Sequence, residues 1–378
     1  MVSTKTSFHT SPSSDESAAC ASKYDKQIKQ MIKESDEKFN EVFRCAQEAI
    51  LEGVQPQLIP EGSSGSYFVY NKDGETIGVF KPKDEEPFAA LNPKWPKFFQ
   101  RVLCFCCFGR ACLIPNTGYL SEAGASIVDE MFHFNVIPKT RVVKLASPSF
   151  FYSRCCGRTE IRPKEGSFQL FVKGYESAAA VFARWNYDSS LLSKEQESKF
   201  LFMFQKMCIL DYVIRNTDRH PDNLLIKHIP GGDLEIAVID NGLAFPVKHP
   251  ECTSLFRTFP FRWGTMDWAK ADWDEDLRTA VLQQLTPIFV HELCLQLKKL
   301  FCHGYGNTRL LVNSQLRVVR GQLWNLRDAL QNREPPAKLA QRQPIVVTRT
   351  YRRGFPTTDD WEQWFRIKNV DYGTRQCC

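Results

Sequence analysis

Arg215-Asn216-Thr217-Asp218-Arg219-His220-Pro221-Asp222-Asn223, followed by Ile239-Asp240-Asn241-Gly242, is the stretch on which the reading of this chain turns. Asp218 and Asn223 stand in the order D-x-x-x-x-N. Asp240 follows an apolar run, Ile236-Ala237-Val238-Ile239, and Gly242 comes just after it. Phosphoryl transfer uses an Asp to accept the substrate hydroxyl proton, an Asn to bind metal, and a second Asp to hold the cation that bridges the nucleotide phosphates. The two motifs occur in that order, separated by what reads as a β-hairpin, and together they predict a kinase-like site. Asp218 is the predicted catalytic aspartate, with Asn223 and Asp240 as metal ligands. A turn-capping role competes for Asp218, because Asn-Thr-Asp sequences favour turns. Asp222 reads as a loop cap or a support for Arg219.

Upstream, Ser66 to Tyr70 and Thr76 to Phe80 read as strands around Asn71-Lys72-Asp73-Gly74, a hairpin signal. Gly62-Ser63-Ser64-Gly65-Ser66 precedes the hairpin, and Val79-Phe80-Lys81 ends it. Loop, hairpin and strand lysine are the parts of a phosphate clamp. Ser63 and Ser66, with the loop's backbone N–H groups, are candidate phosphate ligands. Lys81 is the candidate for the α/β-phosphates. The loop lacks the lysine of G-x-x-x-x-G-K-[ST], which disfavours a P-loop NTPase. A helix predicted over 119–134 carries Glu122, the candidate partner of Lys81, with capping and surface roles as alternatives. A strand is predicted over 140–145, and Phe168 to Val172 reads as a short apolar strand that links the lobes. Helices are predicted over 25–51, 193–216, 280–301 and 307–331, the second of these apolar almost all round and therefore buried. From Glu334 the chain turns polar, with Pro335, Pro336 and Pro344 as breakers.

The chain has 378 residues, 43% hydrophobic and 24% charged, enough for two lobes. Its net charge of +6 permits weak attraction to anionic surfaces and demands none. No run of about 18 apolar residues predicts a membrane-spanning helix, and no signal peptide is expected. The 14 cysteines lack zinc-finger spacing and sit in a long chain, so a reduced cytosolic protein is expected.

Lys94-Trp95-Pro96-Lys97-Phe98-Phe99 leads into Leu103-Cys104-Phe105-Cys106-Cys107. Cations and rings at the head of an apolar run suit a membrane interface. Clustered cysteines there are candidates for palmitoylation, so Cys104, Cys106, Cys107, Lys94, Trp95, Lys97 and Phe98 form a candidate membrane segment. A buried strand is the competing reading. Phe259-Pro260-Phe261-Arg262-Trp263 is a second aromatic cluster, and Trp263 is a candidate for membrane contact, with ordinary core as the alternative.

Ser63-Ser64-Gly65-Ser66-Tyr67-Phe68-Val69, Val79-Phe80-Lys81-Pro82-Lys83, Leu91-Asn92-Pro93-Lys94-Trp95, Gly118-Tyr119-Leu120-Ser121-Glu122-Ala123-Gly124-Ala125-Ser126, Gly166-Ser167-Phe168-Gln169-Leu170-Phe171-Val172, Arg215 to Arg219 and Ile239-Asp240-Asn241-Gly242-Leu243-Ala244-Phe245-Pro246 resemble the type II phosphatidylinositol 4-kinases. The resemblance covers roughly residues 45–348. It implies an α+β, two-lobed protein-kinase-like fold with a small β-rich N-lobe and a larger, mainly helical C-lobe. It implies ATP as donor, Mg²⁺, and transfer of the γ-phosphate to the 4-hydroxyl of phosphatidylinositol. It implies that the backbone of Gln169, Leu170, Phe171 and Val172 meets adenine. A palmitoylated, peripheral or acyl-anchored protein on the cytoplasmic face of Golgi, trans-Golgi and endosomal membranes is implied too, with the plasma membrane as a further site and no nucleic-acid partner. The family's C-C-P-C-C cluster is reduced here to Cys104-Phe105-Cys106-Cys107, and His220-Pro221 stands where the family has Gly-Asn.

The expected organisation is a disordered 1–24, an N-lobe over 25–172 with a helical lead-in, a C-lobe over 173–345 and a basic, aromatic tail over 346–378. Two rivals stay open. A protein kinase would use the same parts, though H-R-D and A-P-E patterns are absent from the sequence. A catalytically inactive, acylated membrane scaffold would have no need of Lys81, Asp218, Asn223 and Asp240.

Overall fold

The computed structural model describes residues 35–87, 89, 91–93, 111–152, 161–252, 259–305, 309–350 and 354–370. The candidate membrane residues Lys94, Trp95, Lys97, Phe98, Cys104, Cys106 and Cys107 lie outside that set, as does the stretch 1–24. The chain divides into two compact units, 1–45 and 46–378. The described part of the first is helical, with Phe39 and Phe43 one turn apart and stacked at 6.4 Å between ring centroids. Both kinase-like lobes lie in the second unit.

The small lobe is an antiparallel sheet in the order β1-β2-β3-β5-β4. Its strands are β1 (Gln57–Leu58), β2 (Tyr67–Tyr70), β3 (Thr76–Pro82), β4 (Thr140–Leu145) and β5 (Lys164–Leu170). The β2–β3 turn forms where Asn71 Oδ1 accepts the N–H groups of Asp73 at 3.1 Å and Glu75 at 2.8 Å. Gly74 supplies the positive φ of 79° that the turn needs. β3 buries Phe80 and Pro82 and leaves Lys81 between them on the opposite face, the alternation expected of a strand. β5 ends at Leu170, so Phe171 and Val172 belong to the connection to the large lobe and not to the strand.

Helix α1 (Gly118–Phe132) packs beside β4 and β5. Asp129 near its end accepts the N–H of Val136 at 3.1 Å, and burial pushes its carboxyl up to about 7.

The large lobe contains β6 (Glu176–Ser177), α2 (Ala178–Tyr187), α3 (Lys194–Ile214), β7 (Leu224–His228), β8 (Leu234–Val238), α4 (Glu275–Gln284), α5 (Pro287–Tyr305), α6 (Arg309–Gln331), α7 (Pro336–Leu339), β9 (Ile345–Arg349), α8 (Trp361–Trp364) and β10 (Phe365–Asn369). α3 opens with a reciprocal capping box between Ser193 and Gln196 and buries Phe200, Phe204, Met207, Ile209 and Leu210. It stops at Arg215, whose left-handed backbone (φ 47°) starts the catalytic loop. The guanidinium holds that bend through the Phe259 carbonyl at 2.9 Å, Glu251, and the face of Phe261 at 4.4 Å.

The single helix predicted over 280–301 is two helices. Pro287 has no N–H to continue α4, and the chain restarts there as α5. The stretch from 346 on, expected as a tail, is in its described part integral to the large lobe. β9 and β10 pair antiparallel, and Val347, Trp361, Trp364 and Phe365 are buried. Gly321 on α6 makes room for this return: a Cβ there would lie 2.0 Å from the Ile345 carbonyl oxygen. Trp263 is corrected from membrane contact to core. It is 1% exposed and packs on Phe261 at 5.0 Å. The aromatic residues around it close the large lobe, with Trp268 packed among Phe182, Trp185, Phe200 and Phe204. Among the described residues no helix is long and apolar enough to cross a membrane.

Candidate active site

Lys81 projects from β3 into the cleft. Its Nζ donates to Glu122 Oε1 and, at 3.1 Å, to Asp240 Oδ1. Burial would lower the ammonium, but the charges of Asp240 and Glu122 outweigh it and raise it above the ordinary lysine range. Lys81 is therefore a fixed cation at neutral pH. Its charge, ahead of other effects, holds the Asp240 carboxyl below the usual range. Glu122 is 2% exposed, and its second oxygen accepts the backbone N–H of Asn241 at 3.0 Å. One carboxylate thus ties α1 to the strand lysine and to the Asp240 loop. Lys83, two residues on, is outside this cluster. It is 42% exposed and lies 3.9 Å from Glu165.

The catalytic loop is held from inside. Arg219 is 6% exposed, and its guanidinium pairs with the fully buried Asp211 at 3.0 Å. Its other donors reach the Asn223 carbonyl at 2.7 Å, the Ile239 carbonyl at 2.6 Å and Asn241 Oδ1. Asp211 also takes Asn216 Nδ2 at 3.2 Å, and Asn216 Oδ1 accepts the N–H of Asp218 at 2.9 Å. Asn223 Nδ2 donates to the Asp218 carbonyl at 3.0 Å. These bonds bring Asp218, Asn223 and Asp240 together. Asp222 does not steady Arg219, as the sequence suggested. It lies 3.4 Å from His220 Nδ1 and is largely exposed. Asp240 sits in the left-handed region at φ 52°, a conformation that aims a non-glycine side chain where an extended strand would not.

The donor set fits a hard divalent cation. Asp240 spends Oδ1 on Lys81 and keeps 56% of its side chain open to solvent. Asn223 commits its amide nitrogen to Asp218, so its amide oxygen is the end left for coordination. One carboxylate and one amide oxygen suit such a cation, whose shell phosphates and water would complete.

The loop over 62–66 lies above Lys81's end of the sheet. The Gly65 N–H is spent on the Glu85 carbonyl at 2.8 Å. Ser63 is half-buried, and its carbonyl accepts Asn92 Nδ2 at 3.0 Å. Ser66 is 8% exposed, with its hydroxyl 3.4 Å from that of Ser64. In the connection between lobes, the Leu170 N–H goes to the Lys139 carbonyl and the Phe171 N–H to the Ile77 carbonyl, each at 3.0 Å. Gln169 lies in the sheet, and its side chain bonds Thr140 Oγ1 at 3.0 Å. Among the described residues, the Val172 N–H meets no backbone carbonyl. Phe171 and Phe68 meet edge to face at 6.0 Å beside it.

Sequence reasoning missed Asp211, Asn241, Glu86 and Asn92. Asp211 had a readable signal, a carboxylate in the apolar last turns of its helix, eight residues before an arginine. Glu86 is 8% exposed, and its carboxylate accepts the N–H groups of Gly118 at 3.1 Å and Tyr119 at 2.8 Å. Burial pushes it up to about 7.

The sequence model of the phosphatidylinositol 3- and 4-kinase family matches residues 62–271, which contain every group described in the cleft. Phosphatidylinositol 4-kinase type 2-beta of Danio rerio is 41% identical over 358 residues, covering 84% of this chain and 70% of that one. The chain belongs to the type II phosphatidylinositol 4-kinase family. The type 2-alpha kinase of Danio rerio is 40% identical over 82% of this chain and 77% of its own length. The type 2-beta kinase of Mus musculus is 41% identical over 82% and 74%. His220 and Pro221 fall on a turn across which Asn223 Nδ2 donates to the Asp218 carbonyl.

Proposed function

We propose that this protein transfers the γ-phosphate of ATP to the 4-hydroxyl of phosphatidylinositol, at the cytoplasmic face of Golgi and endosomal membranes. The observation that carries the reading is the 41% identity across 358 residues to a protein named phosphatidylinositol 4-kinase type 2-beta. The cleft supplies the chemistry such a reaction needs.

Lys81 binds the α/β-phosphates, held in register by Glu122. The Val172 N–H, free of other carbonyls, orients adenine, and Phe171 with Phe68 walls that pocket. Ser63 and Ser66 belong to the loop over the phosphates. Asn223 and Asp240 would hold Mg²⁺, which would supply charge neutralisation at the transferred phosphoryl group. Asp218 accepts the proton of the inositol 4-hydroxyl as that oxygen attacks. Catalysis is therefore positioning plus charge neutralisation, with little covalent work for the protein. Lys94, Trp95, Lys97 and Phe98 bring the enzyme to an anionic membrane, and acyl chains on Cys104, Cys106 and Cys107 hold it there.

The test offers purified protein labelled ATP with phosphatidylinositol vesicles, phosphorylated phosphoinositides and a generic protein substrate in parallel. Label in phosphatidylinositol 4-phosphate is expected. Label confined to protein, or at another inositol position, overturns the assignment.

A further inference from the structure

Two groups read as facing the nucleotide phosphates, and the carboxylate that holds one of them, come from distant parts of the chain. They are the loop over 62–66, Lys81, and Glu122 one turn into α1. A single short stretch touches all of their supports. Asn92 is 6% exposed, and its Nδ2 donates to the Ser63 carbonyl and to the Glu86 carbonyl, each at 3.0 Å. The Glu86 carboxylate accepts the first N–H groups of α1, from Gly118 and Tyr119. The Glu85 carbonyl accepts the Gly65 N–H at 2.8 Å. Two further bonds close the stretch on itself, Leu91 N–H to Asp84 at 3.1 Å and Ala89 N–H to Glu86 at 2.9 Å. It follows β3 directly, so it begins at the end of the strand that carries Lys81.

We propose that Glu86 and Asn92 are positioning residues that set the phosphate loop at a fixed height over Lys81 and Glu122. The proposal deepens the nucleotide-site reading above and rests on it. Glu86 fixes the start of α1, hence the place of Glu122 and, through it, of Lys81. Asn92 fixes the loop relative to Glu86. The chemistry demands an amide at 92. One NH₂ supplies both donors, and two carbonyl oxygens face it. A carboxylate of the same shape has no donor to offer and would set a negative charge against both carbonyls. Both side chains are buried and spent on protein backbone groups, so each acts through its neighbours and neither is catalytic. Their effect should fall on the phosphates and spare the adenine pocket, which is built from β2 and the connection after β5.

The experiment measures binding of MgATP and of adenosine to the whole protein by titration calorimetry, for wild type, Asn92→Asp and Glu86→Gln. For Asn92→Asp, MgATP binding is expected to weaken about tenfold, as for loss of about one to two buried hydrogen bonds. Adenosine binding should stay within about twofold. Glu86→Gln keeps one acceptor for two N–H groups and should shift MgATP the same way by a smaller factor. It carries the comparison if Asn92→Asp does not fold. MgATP binding within twofold of wild type for both variants overturns the proposal. So does equal weakening of MgATP and adenosine, the mark of general loosening. If wild-type protein binds neither ligand, the nucleotide-site reading itself fails, and this inference with it.

Discussion

Arg219 and Asp211 form a buried ion pair at 3.0 Å whose spare donors hold the backbone on the near side of Asp240 and the side chain on its far side. The pair is the point from which the catalytic and metal loops are hung. Removing one partner leaves a buried charge uncompensated, which costs about 3–5 kcal/mol. Asp211→Ala is therefore expected to lose that much in a denaturant melt and to lose divalent-dependent nucleotide binding. A loss under about 1 kcal/mol would mean that water reaches the pair and that the loops are held by other means.

Lys81 and Lys83 share a charge and a neighbourhood but not a role. Lys81→Met removes the cation shared by Glu122 and Asp240. It should lower kcat/KM by about 10²–10³, the scale for losing one preorganised charge contact. Lys83→Met removes an exposed charge 3.9 Å from Glu165 and should change kcat/KM by less than about threefold. Steady-state kinetics on both variants decide it, and equal losses would contradict the assignment.

Gly65 and Gly242 make a second contrast. A Cβ on Gly65 would lie 2.5 Å from Glu85 Oε2. That carboxylate is 0% exposed and pinned by Lys164 at 2.7 Å, Tyr67 at 2.5 Å and the Phe151 N–H at 3.1 Å, so it has nowhere to go. A Cβ on Gly242 meets its first neighbour at 3.6 Å, an ordinary contact. Gly65→Ala should cost about 1–3 kcal/mol and raise KM for ATP, while Gly242→Ala stays within about 0.5 kcal/mol. Melting curves of the two variants, taken with their KM for ATP, check the order.

The shared placement of Lys81, Asp218, Asn223 and Asp240 was legible from linear spacing, because phosphoryl transfer demands such groups in a fixed order on a hairpin and a loop. Glu122 was legible as the acid on the next predicted helix. What was not legible depends on contacts between distant stretches. Glu86 meets Gly118 and Tyr119, and Asn92 meets Ser63, across gaps of about thirty residues with no periodic signal. Trp263 failed for another reason: a run of rings around a proline reads alike for a membrane loop and for a core, and only burial separates them. The return of the chain after 345 was hidden because its core side chains are few and separated by charged residues.

Asp129 gives a pH dependence remote from the chemistry. Burial raises it from 3.8 to about 7, so between those values the folded state holds more protons than the unfolded chain. Its contribution to stability is full below about pH 4 and is lost as pH rises through about 7. Asp129→Asn, which stays neutral throughout, should flatten the fall in Tm between pH 5 and 8. An unchanged slope would place the titration elsewhere.

Asp240 is fixed by Lys81 on one side and by the Arg219 network on the other, and is proposed to hold the cation for phosphate transfer to the 4-hydroxyl of phosphatidylinositol. The most direct measurement is transfer of labelled phosphate to phosphatidylinositol at saturating Mg²⁺ by wild type and Asp240→Asn, with the product isomer identified. Wild type is expected to yield phosphatidylinositol 4-phosphate. The variant is expected to be slower by about 10²–10³, with an unchanged melting curve. A folded Asp240→Asn protein that works at close to the wild-type rate would contradict that role for Asp240.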